Sequence, residues 1–209
     1  MGVYKKFLEK ISNLDDSIKT EIEKMNLPYP LIIHVDKTKK LESEINKIIV
    51  KISELIPKKF GSSIPYVLGE LTDNIEQHSN YSNAFIFLKY DSEKEIAEIC
   101  IFDDGLTIPS VFKKSNLYFL KDSDAIKMAL RGKTTKKEDI SRGFGLKTTK
   151  SIVEALNGKM QIISKSGMVT LWKKMLTEKN FDNAKLCGTL IYLKMETPEK
   201  DLNIYSFLE

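Results

Sequence analysis

The chain has 209 residues, 42% hydrophobic and 30% charged, with 33 basic against 29 acidic side chains for a formal charge of +4. That is enough for one domain with its own core, without disulfides or a structural metal. The charge excess is small and spread along the chain, so no nucleic-acid partner is expected; no apolar run of about 18 residues is present to cross a membrane.

Apolar residues at Tyr4, Phe7, Leu8, Ile11, Leu14, Ile18, Ile22 and Met25 recur at three-and-four spacing and predict one amphipathic helix over residues 1–26. Its stripe fits either packing on the chain's own domain or the seam of a homodimer. Pro28 and Pro30 end it. A short strand follows at Leu31–Val35, then a helix from about Thr38 to Ile56. Gly61-Ser62-Ser63-Ile64-Pro65 offers a serine cap with proline in the first turn of a helix running to about Ser79. Two strands are expected at Ala84–Tyr90 and Ile96–Phe102. From Thr107 to Arg142 the pattern dissolves into a polar, lysine-rich stretch, helical only near Asp124–Arg131, which reads as a lid. Gly143-Phe144-Gly145 opens a helix ending at Asn157-Gly158. Strands at Lys159–Ser164, Met168–Trp172 and Thr189–Lys194 close a domain spanning 27–195, and 196–209 read as a tail. Helices early and strands late predict an α+β, two-layer α/β sandwich.

Two cysteines, Cys100 and Cys187, lie in apolar strand-like runs and read as buried small hydrophobes of a reducing compartment. With only His34 and His78 besides, a zinc site is not expected. Met1 leads into a charged helical stretch rather than a signal peptide, so the expected location is cytoplasmic.

Four short motifs carry chemistry. Glu70 and Asn74 are four apart and share one helix face, offering a water-orienting base and a neutral oxygen ligand for Mg²⁺. Asp103 shares a strand face with Ile99 and Ile101, and a buried carboxylate there needs a donor such as an adenine amine. Gly105 lets the chain turn tightly beside a ligand. Gly143 and Gly145 precede a helix N-terminus, where backbone N–H groups and the helix dipole favour phosphate. Thr189 opens the last strand on the face of Ile191 and Leu193. A dinucleotide fingerprint would need glycine at Thr148, and a Walker A loop would need it at Lys127, so neither applies.

In this order, Glu-x-x-x-Asn on a helix, Asp-x-Gly after a strand, a basic lid, Gly-x-Gly-Leu before a helix and Gly-Thr in a final strand, the chain resembles the GHKL, or histidine-kinase-like, ATPase superfamily over about residues 60 to 195. The resemblance implies a Bergerat-type fold, with a mixed, mostly antiparallel sheet and helices on one face. It implies ATP and Mg²⁺ as ligands. Asn74 would hold the metal, Asp103 the adenine with Thr189 nearby, and Gly105 and Thr107 the turn beside it. Gly143, Phe144, Gly145 and Leu146 would cradle the phosphates, Lys133, with Lys136 and Lys137, would add positive charge, and Glu70 would activate water or a protein hydroxyl. Thr107 departs from the pattern, standing where the family has a second glycine, and Gln77 stands where many histidine kinases carry a basic residue. No phosphoacceptor-histidine helix is evident. The resemblance is therefore closest to the anti-sigma-factor type of kinase, implying a protein kinase or slow ATPase acting on a separate protein partner. The alternative is a nucleotide-gated interaction module with little turnover.

Overall fold

A computed structural model describes residues 2–12, 14–26, 31–39, 41–133 and 145–207, with backbone alone at 42, 47, 48, 50 and 53. Seven strands form one sheet: β1 (Leu31–Asp36), β2 (Asn83–Asp91), β3 (Ile96–Asp103), β4 (Lys159–Lys165), β5 (Gly167–Trp172), β6 (Met175–Asn180) and β7 (Leu186–Glu196). Their order is β1-β2-β3-β7-β4-β5-β6, and every neighbouring pair is antiparallel. The α+β class expected from the sequence is therefore observed, with a wholly antiparallel sheet rather than a mixed one. β6 was not expected; its segment Met-Leu-Thr-Glu-Lys-Asn is almost entirely exposed, so it carries little apolar signal.

The central strands are apolar on both faces. Ala84, Ile86 and Leu88 of β2, and Ala97, Ile99 and Ile101 of β3, face the larger core; Phe85, Phe87, Cys100 and Phe102 face a second core. Against the first face pack α3 (Leu41–Leu55), α4 (Ser63–Asn74) and α7 (Gly145–Ala155). The second is closed by α1 (Gly2–Ile11) and α2 (Asp16–Glu23). Two expectations are corrected here. The N-terminal segment is two helices, separated where Asp15 caps α2 by accepting from Ser17 N at 2.8 Å. Helices also lie on both faces of the sheet, because the apolar stripe of 1–26 packs on the chain's own strands. Phe7 is 1% exposed, with its ring centroid 4.8 Å from Phe87 and 5.7 Å from Phe85 in edge-to-face contact. The residues a dimer seam would use, Phe7, Ile18 and Ile22, are buried within one copy.

In the stretch read as a lid, the helix expected near Asp124–Arg131 is present and one further helix precedes it. α5 (Ile108–Lys114) and α6 (Asp122–Leu130) are regular helices. Phe112, Ala125 and Ala129 form a small core of their own, while Ile126 and Leu130 join the main one. Asp122 ties the start of α6 to the β4–β5 turn through Lys165 at 3.1 Å and Ser166 at 2.6 Å. Residues 134–144 of the expected lid lie outside the described residues. The tail is likewise not free chain: Ile204 is buried in a 3₁₀ turn, Ile204–Phe207, packed on α7. Cys187, read as buried, is exposed, while Cys100 is fully buried with its thiol pushed up by desolvation. No helix among the described residues is long and apolar enough to cross a membrane.

Because Phe7 fills a pocket of three phenylalanines, Phe7→Ala is expected to cost about 3–5 kcal/mol of stability in urea unfolding, as for other buried aromatic truncations.

Candidate functional site

α4 carries Glu70 and Asn74 on one face, and the Asn74 side-chain amide donates to the Glu70 carbonyl at 2.8 Å. That bond fixes the carboxamide nitrogen and leaves Oδ1 as its acceptor end. After Asn74 the helix widens into a π turn, Ile75–Ser79, stopped by Asn80 in the left-handed conformation. Tyr66, one turn before Glu70, bonds through its hydroxyl to the Glu70 side chain and to Thr148 of α7; burial first, then the Glu70 bond and charge, push its phenol up to about 12.

Gly145, the first residue of α7, sits directly on this face. A Cβ there would lie 2.4 Å from Glu70 Oε2 and 3.3 Å from Asn74 Nδ2. A side chain here would have to push the tip of Glu70 aside, so glycine lets the first and third motifs meet. Gly143 and Phe144, together with Lys136 and Lys137, lie outside the described residues. Leu146 is half-buried and packs against both the main core and the small α5–α6 core, so its observed role is to join α7 to the lid helices. Lys133 is exposed at the end of α6, its backbone N–H bonded to Met128 O; none of its described contacts reaches the site.

The π turn delivers Ser79 to the second motif. Ser79 is buried and bonds to the Asp103 side chain; its carbonyl accepts from Leu106 N at 2.5 Å. A Cβ on Gly105 would fall 2.2 Å from that same carbonyl. Asp103 ends β3 on the face covered by α3, α4 and α7, 3% exposed, and its carboxylate accepts from Gly105 N at 3.0 Å. Burial pushes its pKa up to about 7, against the lowering bonds from Gly105, Ser79 and the Thr189 backbone and with a raising contribution from Asp104. Its neighbour Asp104 points away. Burial raises it too, but bonds from Lys10, Asn83 and Ser82 outweigh that and hold it below the usual carboxylate range.

Thr189 is paired with Asp103 across β3 and β7 and with Ser164 across β7 and β4. Asp103, Thr189 and Ser164 thus form one row on the inner face, and the Thr189 and Ser164 hydroxyls are 2.8 Å apart. Ser164 Oγ also accepts from Ile108 N at 2.9 Å, joining this row to α5. Gly188, at φ +99°, lets β7 pass so close that a Cβ would lie 1.8 Å from Asp103 O. Thr107 caps α5 by accepting from Ser110 N at 3.2 Å, with φ −77°; a glycine is not required there, and the departure at this position leaves the turn intact.

The structure therefore gathers Glu70, Asn74 and Gly145 into one group and Asp103, Gly105 and Thr189 into a second, with the π turn between them. Three further members were not expected from the sequence: Tyr66, Ser79 and Ser164. Tyr66 was findable from its i, i+4 spacing to Glu70; Ser79 and Ser164 depend on a π turn and a strand register that no local pattern signals. Among the described residues, no group of three or more His, Cys, Asp and Glu side chains is placed to hold a metal ion. No protein-family model matches the chain, and no curated protein matches it.

Two outcomes follow from this geometry. Asp103 binds its proton more tightly folded than unfolded, so its contribution to stability is full below its ordinary value of 3.8 and is lost as pH rises through about 7. Asp103→Asn lacks this dependence, so thermal unfolding of the two proteins over that pH range should show the difference moving in the variant's favour as pH rises. Gly188→Ala combines a left-handed backbone with a clash against Asp103 and should lower stability by roughly 3 kcal/mol or more in denaturant titrations.

Proposed function

We propose that this chain is an ATP- and magnesium-binding regulatory protein of the histidine-kinase-like class, built on a Bergerat-type arrangement, that phosphorylates a separate protein partner or hydrolyses ATP slowly. The observation that carries the reading is the contact of Gly145 with Glu70 and Asn74, since it joins a phosphate-type helix N-terminus to the residues that would hold metal and activate a nucleophile.

The residues present fit these ligands. The Asp103 carboxylate, dry and already holding three donors, retains acceptor capacity for one more, as an adenine amine would supply. Asn74 Oδ1 is an oxygen donor of the kind Mg²⁺ takes when phosphates and waters complete its shell, so a multi-carboxylate cage is unnecessary. When bound, the metal would neutralise charge on the transferring phosphate. Gly145 and the first turn of α7 direct backbone N–H groups toward the phosphates. Glu70, fixed by Tyr66, accepts the proton of the attacking water or hydroxyl. Asp103 selects the base, and the row through Thr189 and Ser164 carries its position to α5. The site would work in a cytoplasmic setting.

Calorimetric titration with ATP, with and without Mg²⁺, tests the reading. Micromolar, magnesium-dependent binding is expected, lost in Asp103→Asn and weakened in Asn74→Ala. Because an amine donor favours the ionised carboxylate, binding should release a proton, and affinity should fall as pH drops below about 7, approaching tenfold per pH unit. Magnesium-independent binding, or binding indifferent to Asp103, defeats the proposal. Gly145→Ala displaces the flexible end of Glu70 rather than backbone, so turnover should fall by more than tenfold with little change in unfolding temperature.

A further inference from the structure

At the end of the sheet remote from Asp103, four strands place one residue each in a row on the face that α1 and α2 cover only in part. Lys194 pairs with Lys159, Lys159 with Trp172, and Trp172 with Met175. Trp172 is the chain's one tryptophan, and it is 55% exposed; Met175 is 67% exposed. Between them Lys173 and Lys174 form a two-residue turn, both at positive φ, with Lys173 Nζ 4.9 Å from the Trp172 ring.

The charges in this row are offset only at one end, where Glu98 of β3 stands opposite Lys194. None of these four lysines has a carboxylate partner within salt-bridge distance among the described residues. Glu21, whose charge acts on Lys159, is bonded to Lys24 and Lys179, and Glu98 accepts from Tyr192. Lys159 and Lys194 are half-buried and directly opposite, an arrangement that costs stability between like charges. Desolvation and Lys194 together push the Lys159 pKa down. An anion bridging the two would remove that cost.

We infer that this row binds single-stranded nucleic acid, with a base stacked on Trp172 and phosphates held by Lys159, Lys194 and the Lys173–Lys174 turn. An exposed ring flanked by lysines offers both parts of such recognition, a stacking platform and a cationic track. The face continues from Trp172 and Met175 into Thr170, Thr177 and Gln161, with a Gln161–Thr170 bond of 3.3 Å. Gln161 itself is buried, but the Thr170 and Thr177 hydroxyls can meet base edges, whereas burial in lipid would leave them short of partners. Like charge opposes a second copy of the chain. This surface is separate from the proposed nucleotide site and does not depend on it.

Trp172 is its own reporter. Titrating the full chain with a short oligothymidylate should quench its fluorescence. Affinity should fall roughly tenfold to twentyfold between about 50 and about 200 mM salt if about three phosphates are engaged. Lys173→Asn/Lys174→Gly keeps the turn, because Asn-Gly favours the left-handed conformation at both positions, and should weaken binding about tenfold, read by anisotropy of a labelled oligonucleotide. Lys159→Gln should do the same, and Asp103→Asn should bind oligonucleotide as the parent does. Absence of quenching, or binding unchanged in both lysine variants, overturns the inference. So does a blue shift on phosphatidylserine vesicles, or a response to polyglutamate, without a response to oligonucleotide.

Discussion

Both faces of β2 and β3 must be kept from water, and most of the architecture answers that requirement. Phe85, Phe87, Cys100 and Phe102 look one way and Ile86, Leu88, Ile99 and Ile101 the other, all nearly or fully buried. Each fully buried side chain of this size is worth about 1.5–3 kcal/mol, so neither face can be left open. Residues 2–12 and 14–25 are therefore part of the fold rather than an appendage. They also reach the site, since Lys10 of α1 pairs with Asp104 at 2.8 Å, although a half-exposed pair of this kind holds position more than it stabilises.

The two adjacent carboxylates show what this layering does to chemistry. Strand alternation turns Asp103 toward the helix layer and Asp104 toward the N-terminal helices. Asp103 meets hydroxyls and backbone N–H groups but no cation, and burial wins. Asp104 meets an ammonium, a side-chain amide and two backbone N–H groups, and they win. A one-residue shift in the β3 register would exchange these environments and destroy the site, so the register set by the apolar faces also sets which acid is poised to receive a donor.

The main elements and four motifs were legible because each rests on local pattern: helical spacing in Ser63–Asn74, strand runs in β2, β3 and β7, glycines ahead of α7. The second covered face was also written in the sequence, as the unbroken apolar runs Ala84–Leu88 and Ile99–Phe102, since a half-exposed strand would alternate. In residues 107–133 the helix Asp122–Leu130 was legible, but α5 was not, because its seven residues are too few to show a helical period. β6 was hidden as an edge strand with almost nothing to bury. Ser79 and Ser164 were illegible in principle: a serine gains a role only when a π turn or a neighbouring strand brings it to Asp103 or Thr189.

Three glycines mark where the site gives up stability for closeness. Gly105 rests on the Ser79 carbonyl, Gly145 on Glu70 and Asn74, and Gly188 on the Asp103 carbonyl, each nearer than any Cβ would allow. Glycines cost conformational entropy on folding; Gly158 and Gly167 make comparably close approaches elsewhere, so what sets these three apart is that they converge on one carboxylate and one helix face. Two of the three contacts are with backbone, which cannot swing aside. The Asp103 end of the site is consequently rigid, while at Gly145 the neighbour is the tip of Glu70, a side chain held by the Tyr66 hydroxyl rather than by backbone. Were the proposed nucleotide bound, base selection would be preformed at Asp103, and adjustment around the phosphates would be concentrated where α7 meets α4.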